Sequence, residues 1–395
     1  MRIKLIALLV LFATAAFPCS MDYQKAVFKK RLDSSSALFR FERRGKAGFI
    51  DANGKVVIRP KFEPDWWARE DFVEGLAPAQ KKHFNWGFIN ESGEWIVQPQ
   101  YYSVDPFSEG LAAVTSFNQH TSYQMAFVVS YIDRNGVEVI KLPPTVGDAG
   151  EFSEGLAFVR EKGRTSAGRV GFIDRSGEVV IPLQFAEAGE FHESLARVVL
   201  DGQCYVTAPD GHQWPPPSVK PESSCGFVPA DIIAACQEGF IDKTGNLRFE
   251  FEKAQDFSEG MAGVAVRGKW GYIDPQGNFA IPPRFDEALP FSEGLAAVRI
   301  GSHWGFIDHE GVEKIPLKFS RASSFSDGLA KVAGGYIDKQ GSLVIEGWPD
   351  GTDFVKGLAH VSLGRQLFGY IGKSGKVIFQ YTDPDHDKPS RWPFR

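Results

Sequence analysis

This chain of 395 residues is poor in the residue types that announce chemistry. It has four cysteines, four methionines and eight histidines, and no histidine stands at metal-ligand spacing to a cysteine or to another histidine. It has no glycine-rich phosphate loop, no nucleophile-elbow serine and no zincin helix. No cofactor and no metal site can be assigned from it. Beyond residue 20 no apolar run is long enough to span a bilayer. The formal charge of −5 supplies no basic face, which argues against nucleic acid as a partner.

Phe, Gly and Pro are plentiful, at 33, 41 and 24 residues, which is a strand-and-turn composition. Much of it falls into one recurring phrase. Gly268-Lys269-Trp270-Gly271-Tyr272-Ile273-Asp274 runs on through Gly277, Ile281 and Pro282 to Phe285. The phrase returns at Trp304–Asp308 with Gly311, Ile315, Pro316 and Phe319, and at Trp86–Asn90 with Gly93, Pro99 and Tyr101. Its isoleucine recurs at 50, 89, 132, 173, 241, 273, 307, 337 and 371, mostly in steps of about 30–43 residues. A second phrase, Phe-Ser-Glu-Gly-Leu-Ala, is interleaved at 107–112, 152–157 and 291–296.

One unit reads as a three-stranded antiparallel meander. Leu295–Arg299 and Trp304–Ile307 form its first two strands, and Asp308-His309-Glu310-Gly311 a hairpin turn into the third. Pro316 lacks a ladder donor and belongs at a strand end or an edge. A lone meander is marginal in water, so the aromatics must bury against neighbouring units. The sequence thus predicts an all-β tandem array over 37–382, either a propeller-like ring, a pair of rings or an open β-solenoid. Counting strands gives about ten units, the divergent stretch near 201–238 included. Residues 20–36 read as a lead-in and 383–395 as a polar tail.

The first 19 residues combine Arg2 and Lys4, an apolar run over Leu5–Phe12 and small residues at Ala13–Ala16, the pattern of a secretory signal peptide. Cys19 raises a lipoprotein alternative, against which Pro18 fits a lipobox poorly. In an oxidising compartment two of Cys204, Cys225 and Cys236 would pair, with Cys225–Cys236 closing the shortest loop and Cys19 an available fourth thiol.

Trp-Gly-(Phe/Tyr)-Ile-Asp-x-x-Gly with Ile-Pro and interleaved Phe-Ser-Glu-Gly-Leu-Ala resembles the bacterial WG repeat family over nearly the whole chain. The Trp itself stands only at Trp86, Trp270 and Trp304; Ala47, Ser130, Val170, Glu238, Gly334 and Phe368 replace it elsewhere. The resemblance implies exported or envelope proteins whose repeats mediate binding. It carries no catalytic residues.

Two recurring acids invite chemistry. Asp51, Asp133, Asp174, Asp242, Asp274, Asp308 and Asp338 could ring a calcium ion, but Asp at the first turn position is explained by bonding to its own backbone. Glu74, Glu109, Glu154, Glu193, Glu259 and Glu293 could suggest glycoside cleavage, but that needs two carboxyls in unlike environments, and repetition makes them alike. The expectation is a structural role at a tight turn. The sequence therefore reads as a non-catalytic scaffold at the envelope with a protein partner. The alternative is a binder of cell-wall glycan using outward faces of Trp86, Trp270 and Trp304, with a glycoside hydrolase as the distant third reading.

Overall fold

The computed structural model describes residues 37–64, 72–82, 84–118, 126–162, 168–207, 213–214 and 233–383. The predicted leader, the lead-in and nearly all of the polar tail lie outside them. Within them the protein is all-β, and every ladder is antiparallel.

Nine units follow one another. Their middle strands are Ala47–Ile50, Asn85–Asn90, Ala126–Asp133, Val170–Ile173, Ile233–Asp242, Lys269–Ile273, His303–Ile307, Gly335–Ile337 and Leu367–Gly372. The expected meander is present in each. Linkers add a short fourth strand in several units, such as Ser103–Val104, Lys253–Ala254 and Glu287–Ala288.

The count of about ten is corrected to nine. Leu195–Thr207 and Ile233–Asp242 are the first and second strands of one unit, extended into a long hairpin. Leu247–Phe251 is its third strand. Gln213–Trp214 pairs with Val206 and Thr207 and is no third strand of a separate repeat. The divergent stretch is thus an outgrowth of unit 5. Cys225 lies outside the described residues; the ladder sets the backbone of Cys204 opposite that of Cys236.

The pleat explains how the units pack. Successive residues on a strand point to opposite faces. On the middle strand the aromatic faces the following unit and the isoleucine faces the preceding one. Tyr272 meets Phe291 of unit 7, while Ile273 joins Leu195, Phe240 and Phe257 of units 5 and 6. The pairs Phe49–Phe72, Phe88–Phe107, Tyr131–Phe152, Phe172–Phe191, Phe240–Phe257, Tyr272–Phe291, Phe306–Phe325 and Tyr336–Phe354 repeat this contact, with centroids 4.6–5.1 Å apart. Each hydrophobic cluster is shared between two neighbours, as a stacked array requires.

Unit 9 meets unit 1 through a different pair, with Phe39 of the first strand as the partner of the middle-strand tyrosine. Tyr370 packs on Phe39 at 5.6 Å, and Phe41 lies edge-on to Phe379 at 4.9 Å. Phe39, Phe41, Ile50, Leu358 and Tyr370 form the ninth cluster, and the Tyr370 hydroxyl donates to the Arg40 carbonyl. The array closes on itself as one ring. Among the described residues no strand is shared between its ends.

The glycine after the Trp position serves close approach. A Cβ on Gly87, Gly171, Gly271 or Gly305 would stand 2.3–2.6 Å from the carbonyl oxygen of Val97, Ile181, Ile281 or Ile315 on the third strand. Pro316 sits within the outermost strand, Glu313–Phe319, where its missing donor faces no ladder partner.

Candidate functional site

The register fixes where the two recurring phrases meet. Leu111 pairs with Asp133, and Asn118 with Ala126. The start of the first strand and the Asp-x-x-Gly turn therefore share one end of each sheet, here termed the turn face. The hairpins between first and second strands lie at the other end, the hairpin face.

On the turn face each recurrent aspartate is consumed by its own turn. Oδ1 of Asp51, Asp133, Asp174, Asp242, Asp274, Asp308 and Asp338 accepts the amides two and four residues on, at 2.8–3.1 Å. For Asp133 and Asp174 these bonds favour the ionised form. The Val137 amide holds Asp133 below the usual carboxylate range, and the Ser176 hydroxyl does so for Asp174. Among the described residues no cluster of three or more His, Cys, Asp or Glu could hold a metal ion. Because the folded values are depressed, the stabilisation is present above the unfolded aspartate value of about 3.9 and is lost as pH falls through the folded values. We expect a melting temperature that drops below about pH 4. Asp174→Asn keeps the acceptor but removes the titration, as Asn90 does naturally. It should flatten that drop; an unchanged slope would contradict the assignment.

The linker glutamates do something the sequence did not show. Each lies at positive φ, between 52° and 56°, and is followed by Gly in five of six turns. Its carboxylate does not cap its own turn. It reaches across to the amides of the next one. Glu109 accepts from Gly155, Glu154 from Glu193 and Ser194, Glu193 from Gly260, Glu259 from Glu293 and Gly294, and Glu293 from Gly328. Glu74 and Asp327 extend the series to Gly110 and Gly357. Alongside, the hydroxyls of Ser108, Ser153, Ser258, Ser292 and Ser326 donate to the carbonyl of the next unit's phenylalanine at 2.6–2.8 Å.

In five of these links a basic residue one place after the turn's aspartate position adds an ion pair; at the Glu193 link that place is held by Pro275. Arg175 meets Glu109, Lys243 meets Glu154, His309 meets Glu259, Lys339 meets Glu293 and Lys373 meets Asp327, at 2.7–3.6 Å. Burial pushes the Glu154 carboxyl up, but bonds from Lys243 and the Ser194 and Glu193 amides outweigh it and leave it low. The signal was present as Arg134, Arg175, Lys243, His309, Lys339 and Lys373, all one place after the aspartate position. Lys356 stands at the acid position of unit 9, so the charge pattern changes at the seam.

The three tryptophans are corrected from the platform reading. Trp86 and Trp304 are buried in the clusters between units 2 and 3 and between units 7 and 8. Trp270 is half-buried against the cluster between units 6 and 7. An indole packed on a neighbouring sheet offers no open face to a sugar. Beside the seam, Asp350, His360, Ser362, Arg365, Gln366 and Phe368 line a cavity of about 460 Å³. Asp350 is the one carboxylate in its lining, so it holds no acid pair.

Nine antiparallel units among the described residues, units 4 and 5 joined in one continuous sheet, pack face to face in a ring, are linked turn to turn and define a propeller-like repeat fold. The chain belongs to the WG containing repeat family, which matches residues 48–82, 86–116, 130–164, 171–204, 239–270, 270–302 and 304–333. No curated protein matches it. Among solved structures, a eukaryotic initiation factor superposes with a TM-score of 0.55 at 13% identity, covering 88% of this chain and 96% of that one, a likeness of fold alone. BamB from Moraxella catarrhalis aligns at a TM-score of 0.41 and 9% identity, over 71% of this chain and 87% of that one. Among the described residues no helix is long and apolar enough to cross a membrane.

Proposed function

We propose that the protein is a non-catalytic scaffold that binds a protein partner at the cell envelope. One observation carries the reading: the acids that recur often enough to suggest a site are spent on structure, the aspartates within their own turns and the glutamates in joining one unit to the next. Catalysis by a carboxylate pair needs one group protonated and one ionised. Equivalent links around a ring give no unit that asymmetry. The glycan alternative drew on outward tryptophans, and two of these are buried.

The test is an activity screen of the purified chain against glycan and peptide substrates, with Glu74, Glu109, Glu154, Glu193, Glu259 and Glu293 replaced one at a time by Gln. We expect no turnover from any of them. Turnover abolished by a single replacement, with the melting curve unchanged, would refute the scaffold reading. The envelope placement rests on the leader over Met1–Cys19. N-terminal sequencing should find a chain beginning between about Ala16 and Ser20 outside the cytoplasm; Met1 intact on a cytoplasmic protein would contradict it.

A further inference from the structure

The hairpin face carries an aromatic cluster that lies outside the recurring phrases. Phe84 stands at the tip of the first hairpin of unit 2, and Phe117 and Phe127 are cross-strand partners near the tip of the same hairpin in unit 3. Tyr102, in the linker between the two units, joins them. Phe84 stacks on Tyr102 at 4.8 Å with the planes 6° apart. Tyr102 meets Phe127 at 4.7 Å and Phe117 at 5.4 Å, and Phe117 meets Phe127 at 4.8 Å. Phe84 and Phe117 remain 50% and 44% exposed. No other unit repeats this arrangement among the described residues.

Two further observations point outward. Phe84 has φ +56°, a conformation that Gly or Asn adopts readily and a bulky aromatic resists. The corresponding tip in unit 6 is Arg267-Gly268. The tips at Arg44, Arg267 and Gln366 take the same φ of 52–60° with polar residues, so what sets Phe84 apart is a half-exposed apolar ring at that position. The charge nearby is also one-sided. Across 81–85, 115–118 and 126–128 the formal charges are Lys81 and Lys82, both exposed, in a chain of net charge −5.

We infer that Phe84, Tyr102, Phe117 and Phe127, flanked by Lys81 and Lys82, form the docking surface for a partner protein that presents an aromatic or aliphatic anchor beside Asp or Glu. This rests on the scaffold reading and gives it a location and a partner chemistry. Sugar is the poorer occupant. A sugar platform needs an open ring face, whereas Tyr102 covers one face of Phe84 and the remaining rings are tilted by 53–77°. A cluster of tilted aromatics with a charged rim matches the anchor pockets of protein interfaces.

The experiment is a selection of random 12-residue peptides displayed on phage against the purified full chain. Enriched peptides are then titrated on the parent, Phe84→Asn, Phe117→Ser and the Lys81→Glu/Lys82→Glu pair. Asn suits positive φ, which offsets part of the lost stacking on Tyr102, and a melting curve of each variant separates loss of binding from unfolding. Enriched sequences should combine Trp, Phe or Leu with Asp or Glu, and should weaken roughly tenfold or more on each variant. Peptides that bind all variants equally would overturn the patch and leave the scaffold reading standing. No enrichment over uncoated wells would overturn the patch as well. Binding of an N-acetylglucosamine tetramer that is lost in Phe84→Asn would overturn it in favour of a glycan surface. Failure of the scaffold reading is distinct, because it would appear as turnover in the activity screen.

Discussion

Phe291→Ala is expected to destabilise the ring by about 3–5 kcal/mol, the usual cost of truncating a fully buried phenylalanine. Phe291 belongs to the linker phrase of unit 7 and is inaccessible to solvent. It packs edge-on to Tyr272 of unit 6 at 4.8 Å and lies under the His309 ring at 4.3 Å. Its carbonyl also accepts the Ser258 hydroxyl of the preceding unit. Truncation therefore opens a cavity at the centre of the cluster shared by the two sheets. Urea melts would measure the loss. A change below about 1 kcal/mol would mean that the units do not rely on the shared cluster.

Gly277→Val should be nearly as damaging, and for a different reason. Gly277 closes the Asp-x-x-Gly turn of unit 6 at φ +86°, and a Cβ there would lie 2.1 Å from the Phe249 ring of unit 5. A β-branched residue meets backbone strain of roughly 1–3 kcal/mol and overpacking of similar size, about 1–3 kcal/mol. Asp274→Ala removes hydrogen bonds at a partly exposed carboxylate of the same turn and should cost clearly less. If the aspartate variant were instead the worse of the two, and only in the presence of a chelatable metal, the turn assignment would fail and a cation site would replace it.

Those two positions mark what could be read from the sequence. The Asp-x-x-Gly turn was legible because its chemistry is local: the aspartate bonds two amides inside the same turn, and the glycine supplies the positive φ. The meander, the edge proline and the inward isoleucine were legible for the same reason, since alternation within a strand sets them. The glutamate of the linker phrase was read as serving its own turn. Its partners lie about one unit further along the ring, and Glu154 meets Lys243 from a position 89 residues away at the backbone. Nothing local reveals that. The unit count erred because Cys204–Val206 and Asp210-Gly211 imitate a worn repeat, whereas the first strand simply runs on to Thr207. The tryptophans drew attention by their rarity, but the exposed rings among the described residues include Phe84, Phe117 and Phe279, of which Phe84 and Phe117 carry no motif and are joined through Tyr102 because units 2 and 3 are neighbours.

The ring itself is the claim on which the rest depends, and it is decided where unit 9 meets unit 1. The Tyr370 hydroxyl and the Arg40 carbonyl that accepts it are 330 positions apart. Phe41 packs on Phe379 across the same seam at 4.9 Å. A double-mutant cycle on Phe41→Ala and Phe379→Ala measures this contact directly. A closed ring predicts a coupling energy of about 0.5–1.5 kcal/mol, the range for a buried aromatic pair. In an open array the two rings would sit at opposite ends, the two losses would simply add, and a coupling indistinguishable from zero would contradict closure.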